Sequence, residues 1–316
     1  MIIAVSLLAV LSVTAVAGVF LLVSVTAAVG VFLDARKRLG ILPAAAWGIG
    51  TLLTGGVAVS VYLLIRPSRA PAWGIGEILA LTLFFVMAIP LLGALLLSAS
   101  PDALPPLPII AALVVLQNVI FSAAALYVVR VKYRLPLASI GLGAGAWTRR
   151  MAQGAAASVA AVLSNGIGQN VTVFILAVAL GRQAASDLVT REQVGTPIYR
   201  LLPHLHRPVE LIVLSALVGV VVPVGEEIFF RGLTFGALRR LMNRHAAVVT
   251  SALFFAGAHL QPVEFLSILI LGMILAYLYD FTGSLIPGMI AHGVNNLVAL
   301  FLFYQNPPLF VMTRPG

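Results

Sequence analysis

The sequence contains no cysteine and few charged residues. The absence of cysteine excludes a disulfide framework, cysteine zinc sites and thiol catalysis. Only 9% of the 316 residues are charged, whereas an ordinary soluble domain has about 25%. Because 61% of the residues are hydrophobic, the composition predicts an integral membrane protein.

Two hydrolase motifs and a nucleic-acid surface are also missing. The sequence has no H-E-x-x-H and no G-x-S-x-G, which excludes the standard zincin and serine-hydrolase motifs. Its formal net charge of +9 comes from lysines and arginines that cluster between apolar runs and do not interleave with aromatic residues. Such clusters hold loops on the cytoplasmic side of a membrane. We therefore expect membrane lipids as partners and no nucleic acid.

Long apolar runs fill most of the chain. A membrane-spanning helix needs about 20 apolar residues, and its backbone hydrogen bonds must be made within the segment. The runs are continuous and not alternating, so they predict an all-α, polytopic transmembrane helical bundle of about eight to nine membrane helices. We expect it in a prokaryotic plasma membrane. The predicted spans are 2–33, 40–65, 74–98, 108–129, 151–181, 209–238, 246–260, 264–280 and 284–304, of which 246–260 is short for a complete crossing.

The character of the sequence changes between residues 130 and 150. This stretch is polar and rich in glycine, and nearly all residues that could perform chemistry follow it. We therefore predict two parts. Residues 1–134 form about four N-terminal transmembrane helices of unknown role, and residues 135–316 form the functional core.

Two adjacent glutamates, Glu226 and Glu227, interrupt the apolar run 209–238. A carboxylate at mid-bilayer costs about 2.5–3.5 kcal/mol on insertion scales, so an intramembrane pair indicates function. Arg231 is four residues after Glu227 and can pair with it on one helix face. Glu226 is about 140° around the helix from Arg231. Glu227 is thus predicted to orient the site and Glu226 to react.

Two later apolar runs have polar residues one helical turn apart. Phe255 and His259 share one face, and His292 and Asn296 share another. A carboxylate beside an imidazole can deprotonate water, while histidine and asparagine can donate hydrogen bonds to the oxyanion that forms when water attacks an amide. The residues are therefore compatible with a peptidase that has no covalent nucleophile.

Taken in order, E-E-x-x-x-R, F-x-x-x-H and H-x-x-x-N resemble the CPBP family of CAAX-prenyl-protease and bacteriocin-processing proteins, also called Abi or Rce1-like. The resemblance covers about residues 135–304 and is most specific from 226 to 296. It implies a glutamate-dependent intramembrane endopeptidase without a cofactor, acting on a peptide or membrane protein that can be lipidated. The catalytic residues that it implies are Glu226 and His259 for water activation and His292 and Asn296 for the oxyanion, supported by Glu227, Arg231 and Phe255.

Three alternatives stay open at the level of sequence. Glu226, His259 and His292 have the ligand chemistry of a catalytic zinc site with one open position. The polar residues can also bond helices together in a non-proteolytic scaffold, an immunity protein or a sensor partner. A haem held by the two histidines is the third possibility.

Overall fold

The computed structural model describes residues 25–84 and 107–305, except 55, 69, 144, 196–200, 203–204 and 206. All regular structure in this described part is helical, which confirms the all-α prediction. The chain divides into two compact units, one made of Met1–Pro71 and Gly76–Ser98 and the other of Ala72–Ile75 and Ala99–Gly316.

The described part of the first unit is also helical. Its helices are α1 (25–39), α2 (Ile41–Thr54), α3 (Gly56–Ile65) and most of α4 (Ile75–Phe84). Asp34, in the second half of α1, accepts a hydrogen bond of 2.6 Å from the Tyr62 hydroxyl and forms ion pairs with Arg38 and Arg66. The Tyr62 hydrogen bond, followed by the two arginines, lowers the pKa of Asp34.

Among its described residues, the second unit contains five helices that are long and apolar enough to cross a membrane. They are α5 (Leu107–Lys132), α6 (Trp147–Leu180), α8 (Pro208–Leu241), α10 (Phe265–Thr282) and α11 (Leu285–Gln305). Its described residues also form two shorter α-helices, α7 (Arg182–Gly195) and α9 (Arg244–Ala258). Helices α6, α10 and α11 pack together through small and branched residues, with Ala161, Leu271, Leu275 and Ala291 buried at their contact.

Five predicted spans coincide with these five long helices. The run 246–260 forms α9, whose 15 residues are fewer than a complete crossing needs. The predicted span 40–65 is present as two helices, α2 and α3, and not as one. Residues 2–24 and 85–98, the larger part of two further predicted spans, lie outside the described residues.

Helix α8 is not a uniform α-helix. Its wide π-helical turns, Leu217–Val221 and Ile228–Phe235, flank the α-helical stretch Val222–Glu227 that ends in the two glutamates. Pro223 has no backbone N–H and cannot donate to the carbonyl groups behind it. The N–H of Val222 bonds to the carbonyl of Leu217, five residues back. The preceding π turn therefore leaves the Val218 carbonyl without these two backbone donors.

Candidate active site

The buried centre of the site is Glu227. Its Oε1 accepts a 2.9 Å hydrogen bond from Arg231 Nη1 and lies 3.1 Å from His292 Nδ1. All three side chains are almost fully buried. The Arg231 guanidinium also lies 4.2 Å from the centre of the Phe255 ring and donates to the Gly272 carbonyl. Because a buried charge needs a partner, the Arg231 guanidinium depends on Glu227 at this position.

Glu226 has a different environment from its neighbour. Its side chain is 21% exposed, and its Oε2 lies 3.7 Å from His292 Nε2, too far for a hydrogen bond. This oxygen is buried and makes no hydrogen bond within the described part of the chain. His292 therefore lies between the two glutamates, with Nδ1 toward Glu227 and Nε2 toward Glu226.

His259 follows α9 directly, and the last turn of that helix fixes its side chain. Its Nδ1–H donates to the Phe255 carbonyl at 2.8 Å, which directs Nε2 away from the helix. The Phe255 ring makes edge contacts with both imidazoles, at centroid distances of 4.7 Å to His259 and 5.7 Å to His292. Among the hydrogen bonds of the described residues, none joins His259 to Glu226. Phe255 thus connects the second motif to the third.

Asn296 is occupied by a backbone group. Its Nδ2 donates to the Val218 carbonyl at 3.2 Å, the carbonyl that the π turn and Pro223 leave without those backbone donors. Asn296 therefore links α11 to α8 in this conformation. The adjacent Asn295 is buried, donates to Asn296 Oδ1 at 3.4 Å and has an unpartnered Oδ1.

Glycines in α11 allow this helix to approach α8 closely at the site. A methyl group at Gly288 would lie 2.8 Å from Glu227 Oε2, and one at Gly293 would overlap the Gly219 carbonyl oxygen. These two positions bring α11 against the glutamate-bearing part of α8. Any larger residue would force the helices apart, so their separation depends on the missing side chains.

Asn118 on α5 is a site neighbour that we did not predict from the sequence. Its Oδ1 occupies the position that a side chain at Gly225, next to Glu226, would take. Its Nδ2 donates to the Val114 carbonyl of the same helix, which fixes the carboxamide. One turn later, Phe121 packs on Phe229 at 4.5 Å between ring centroids. A polar residue inside a predicted span is the signal that could have identified Asn118.

The structure does not bring the three predicted zinc ligands together as a metal-binding group. Within the described residues, no cluster of three or more histidine, aspartate, glutamate or cysteine side chains has metal-ligand spacing. His292 contacts both glutamates, whereas His259 is directed by the Phe255 carbonyl. The geometry therefore gives no support to a preformed Glu226, His259 and His292 site.

Comparison with known proteins agrees with the motif order. Residues 208–298 match the family described as type II CAAX prenyl endopeptidase Rce1-like. We call residues 208–298 the Rce1-like segment because they are similar to this family. The resemblance inferred from the three motifs is thus confirmed over these residues. No curated protein and no solved structure matches the chain.

The Rce1-like segment contains every catalytic and supporting residue predicted from the sequence. It begins at the start of α8 and ends within α11, so it covers the helices that meet around Glu227. The family supports an intramembrane endopeptidase that acts on a peptide or protein. Helices α5, α6 and α7 lie outside the matched residues.

Proposed function

We propose that this protein hydrolyses a peptide bond in a membrane-associated or lipidated peptide or protein, using water activated by Glu226 and His259. The observation that supports this best is the unequal partnering of the two glutamates. Each glutamate has an Oε2 with no hydrogen bond, but Glu227 is committed to Arg231 through Oε1 and is almost fully buried, whereas the Glu226 side chain is 21% exposed. A partly exposed carboxylate that is not committed to an arginine is available to take a proton from water.

The proposed reaction has two steps. Assisted by His259, Glu226 accepts a proton from water as the water oxygen bonds to the substrate carbonyl carbon, and the resulting oxyanion is stabilised by His292 and Asn296. The carbon–nitrogen bond then breaks, and the proton held by Glu226 passes to the leaving nitrogen. The products are a carboxylic acid and an amine, so atoms and charge balance, and at neutral pH a proton then passes from the acid to the amine to give a carboxylate and an ammonium group.

The supporting residues hold the reactive ones in place. Glu227 and Arg231 form a fixed pair that orients His292 through its Nδ1, and Phe255 separates the two imidazoles. In the substrate complex Asn296 would have to exchange the Val218 carbonyl for the oxyanion, or share its amide between them. We further propose that residues 135–316 form the peptidase core, that residues 1–134 have a separate role, and that the protein functions in a prokaryotic plasma membrane.

The test is cleavage by the purified, full-length protein in lipid vesicles. A set of fluorogenic peptides, with and without a lipid anchor, provides the substrates. We expect Glu226→Gln and His259→Ala each to lower kcat by about 10²–10⁴-fold, the usual contribution of acid–base catalysis. Asp187→Asn, on exposed α7, is a matched control that removes a carboxylate elsewhere. Full turnover by Glu226→Gln would contradict the mechanism, and activity lost with a chelator and restored by zinc would favour the metal alternative.

A further inference from the structure

A carboxylate outside the Rce1-like segment holds the loop that follows His259. Glu192, near the end of α7, accepts the backbone N–H of Val263 at 2.7 Å and that of Glu264 at 3.1 Å, one with each oxygen. These N–H groups lie immediately before α10, which begins at Phe265. Backbone N–H groups at a helix start have no partner within the helix, and a negative charge there also interacts favourably with the helix dipole.

The loop between His259 and α10 is short and strained. Leu260 has a left-handed backbone with φ of +54°, although its side chain is 86% exposed to the surroundings and is not held by packing. For a residue other than glycine this conformation costs about 1–2 kcal/mol. Such a conformation persists only where both sides of the strained residue are fixed.

Both ends of this loop are fixed. At the first end, the N–H of His259 bonds to the Ala256 carbonyl, and its Nδ1–H bonds to the Phe255 carbonyl. At the second end, Glu192 binds two successive N–H groups, and Val263 is buried. The position of His259 at the end of α9 is therefore linked through five loop residues to α7.

Helix α6 adds a second attachment at the same end. Gln169 Nε2 donates to Glu264 Oε1 at 2.9 Å, and Ser267 Oγ donates to the Asn165 carbonyl at 3.2 Å. A side chain at Gly168 would overlap the backbone of Ser267, so α6 and the start of α10 are in direct contact. The start of α10 is thus held by two helices that precede the matched segment.

We propose that Glu192 is a positioning residue for His259, which it holds in place through the strained loop 260–264. This inference rests on the proposed function, in which His259 assists water activation. Glu192 does not touch the reacting atoms. Its role is to keep the loop in one conformation so that the imidazole stays beside Phe255 when substrate enters.

Glu192→Gln tests the proposal with little change in shape. A glutamine has one acceptor oxygen, and its NH₂ group would face a backbone N–H, so one of the two hydrogen bonds must be lost. Amide hydrogen exchange measured by mass spectrometry reports on residues 260–264. Modification of His259 by diethylpyrocarbonate, located by peptide mapping, reports on the imidazole without requiring catalysis.

For the full-length variant in lipid vesicles we expect exchange in 260–264 to accelerate about tenfold or more, as the loss of a charge-assisted hydrogen bond implies. We expect the rate of His259 modification to change at least about twofold, and kcat to fall about tenfold with little change in KM. A matched variant, Asp187→Asn on the same helix, should leave all three measurements near wild type.

Several results would overturn the proposal. One is faster exchange with unchanged His259 modification and unchanged kcat, because Glu192 would then only cap α10. Unchanged exchange, or a Glu192→Gln protein that does not fold, would do the same. If the wild-type protein cleaves no peptide, the proposed function fails, but the exchange and modification measurements still decide whether Glu192 positions His259.

Discussion

The second unit contains two pairs of glutamates whose carboxylates are stabilised by different kinds of partner. Glu227, in the pair with Glu226, is partnered by the side chains of Arg231 and His292, deep within a membrane-spanning helix. Glu192, in the pair with Glu264, is partnered by backbone N–H groups in a loop. In each pair one carboxylate is committed to its partners and the other is less so. Inside the spanning helix the committed carboxylate has a full positive charge beside it, whereas in the loop two amide dipoles replace that charge.

The largest effect is expected from removing the positive charge of the first pair. Arg231→Met leaves the Glu227 carboxylate buried without its cation and should destabilise the fold by about 3–5 kcal/mol. Unfolding of the purified variant in detergent, followed by circular dichroism, measures this loss. The double variant with Glu227→Gln is the control, and it should recover part of the loss because the unpaired charge is gone. A loss below about 1 kcal/mol in Arg231→Met would mean that the pair is not stabilising.

A smaller effect is expected from a substitution at Gly225, the residue before Glu226, which packs closely against Asn118. Gly225→Ala places a methyl group on the position of Asn118 Oδ1 and should cost about 1–3 kcal/mol and displace the reactive carboxylate. Adding Asn118→Ala removes that oxygen and leaves a contact of 3.4 Å between the two Cβ positions, so the double variant should regain stability and cleavage. Thermal unfolding measures the stability of each variant, and peptide cleavage measures its activity. If Asn118→Ala does not rescue Gly225→Ala, α5 does not set the position of Glu226.

The smallest effect concerns the second pair and depends on pH. Burial, and then the charge of Glu192, raise the pKa of Glu264. A carboxyl whose pKa is higher in the folded state favours folding below its ordinary pKa, and this contribution is lost as pH rises through the folded pKa. Glu264→Gln carries no such charge, so we expect its melting temperature to exceed that of wild type by about 1–2 °C at neutral pH. The difference should vanish in acid, and a constant difference at all pH values would contradict the assignment.

The helical fold and the contacts within one helix could be predicted from the sequence. Apolar runs of sufficient length predicted the five long helices of the second unit, and four-residue spacing predicted that Glu227 and Arg231 would pair. Phe255 and His259 likewise contact each other one turn apart. These features depend only on the local geometry of the chain.

Contacts between helices could not be predicted in this way. That His292 lies between both glutamates depends on the alignment of α8 with α11, which Gly288 and Gly293 permit. That Asn296 binds the Val218 carbonyl depends on a π turn beside Pro223, which regular α-helical spacing does not include. The predicted oxyanion role of Asn296 and the predicted boundary between residues 134 and 135 stay predictions.

The wide turns of α8 have a consequence for the part of the helix that precedes the glutamates. A π turn contains one residue more than the α-helical path would need. Deleting one residue from Leu217–Val221 would therefore allow an ordinary helix and rotate Pro208–Ala216 by about 100° relative to Glu226. The exposed side chains of Val209 and Ile212 would then turn toward other neighbours, while the covalent structure of the three motifs stays unaltered. This stretch of backbone determines which face of the helix meets the lipid.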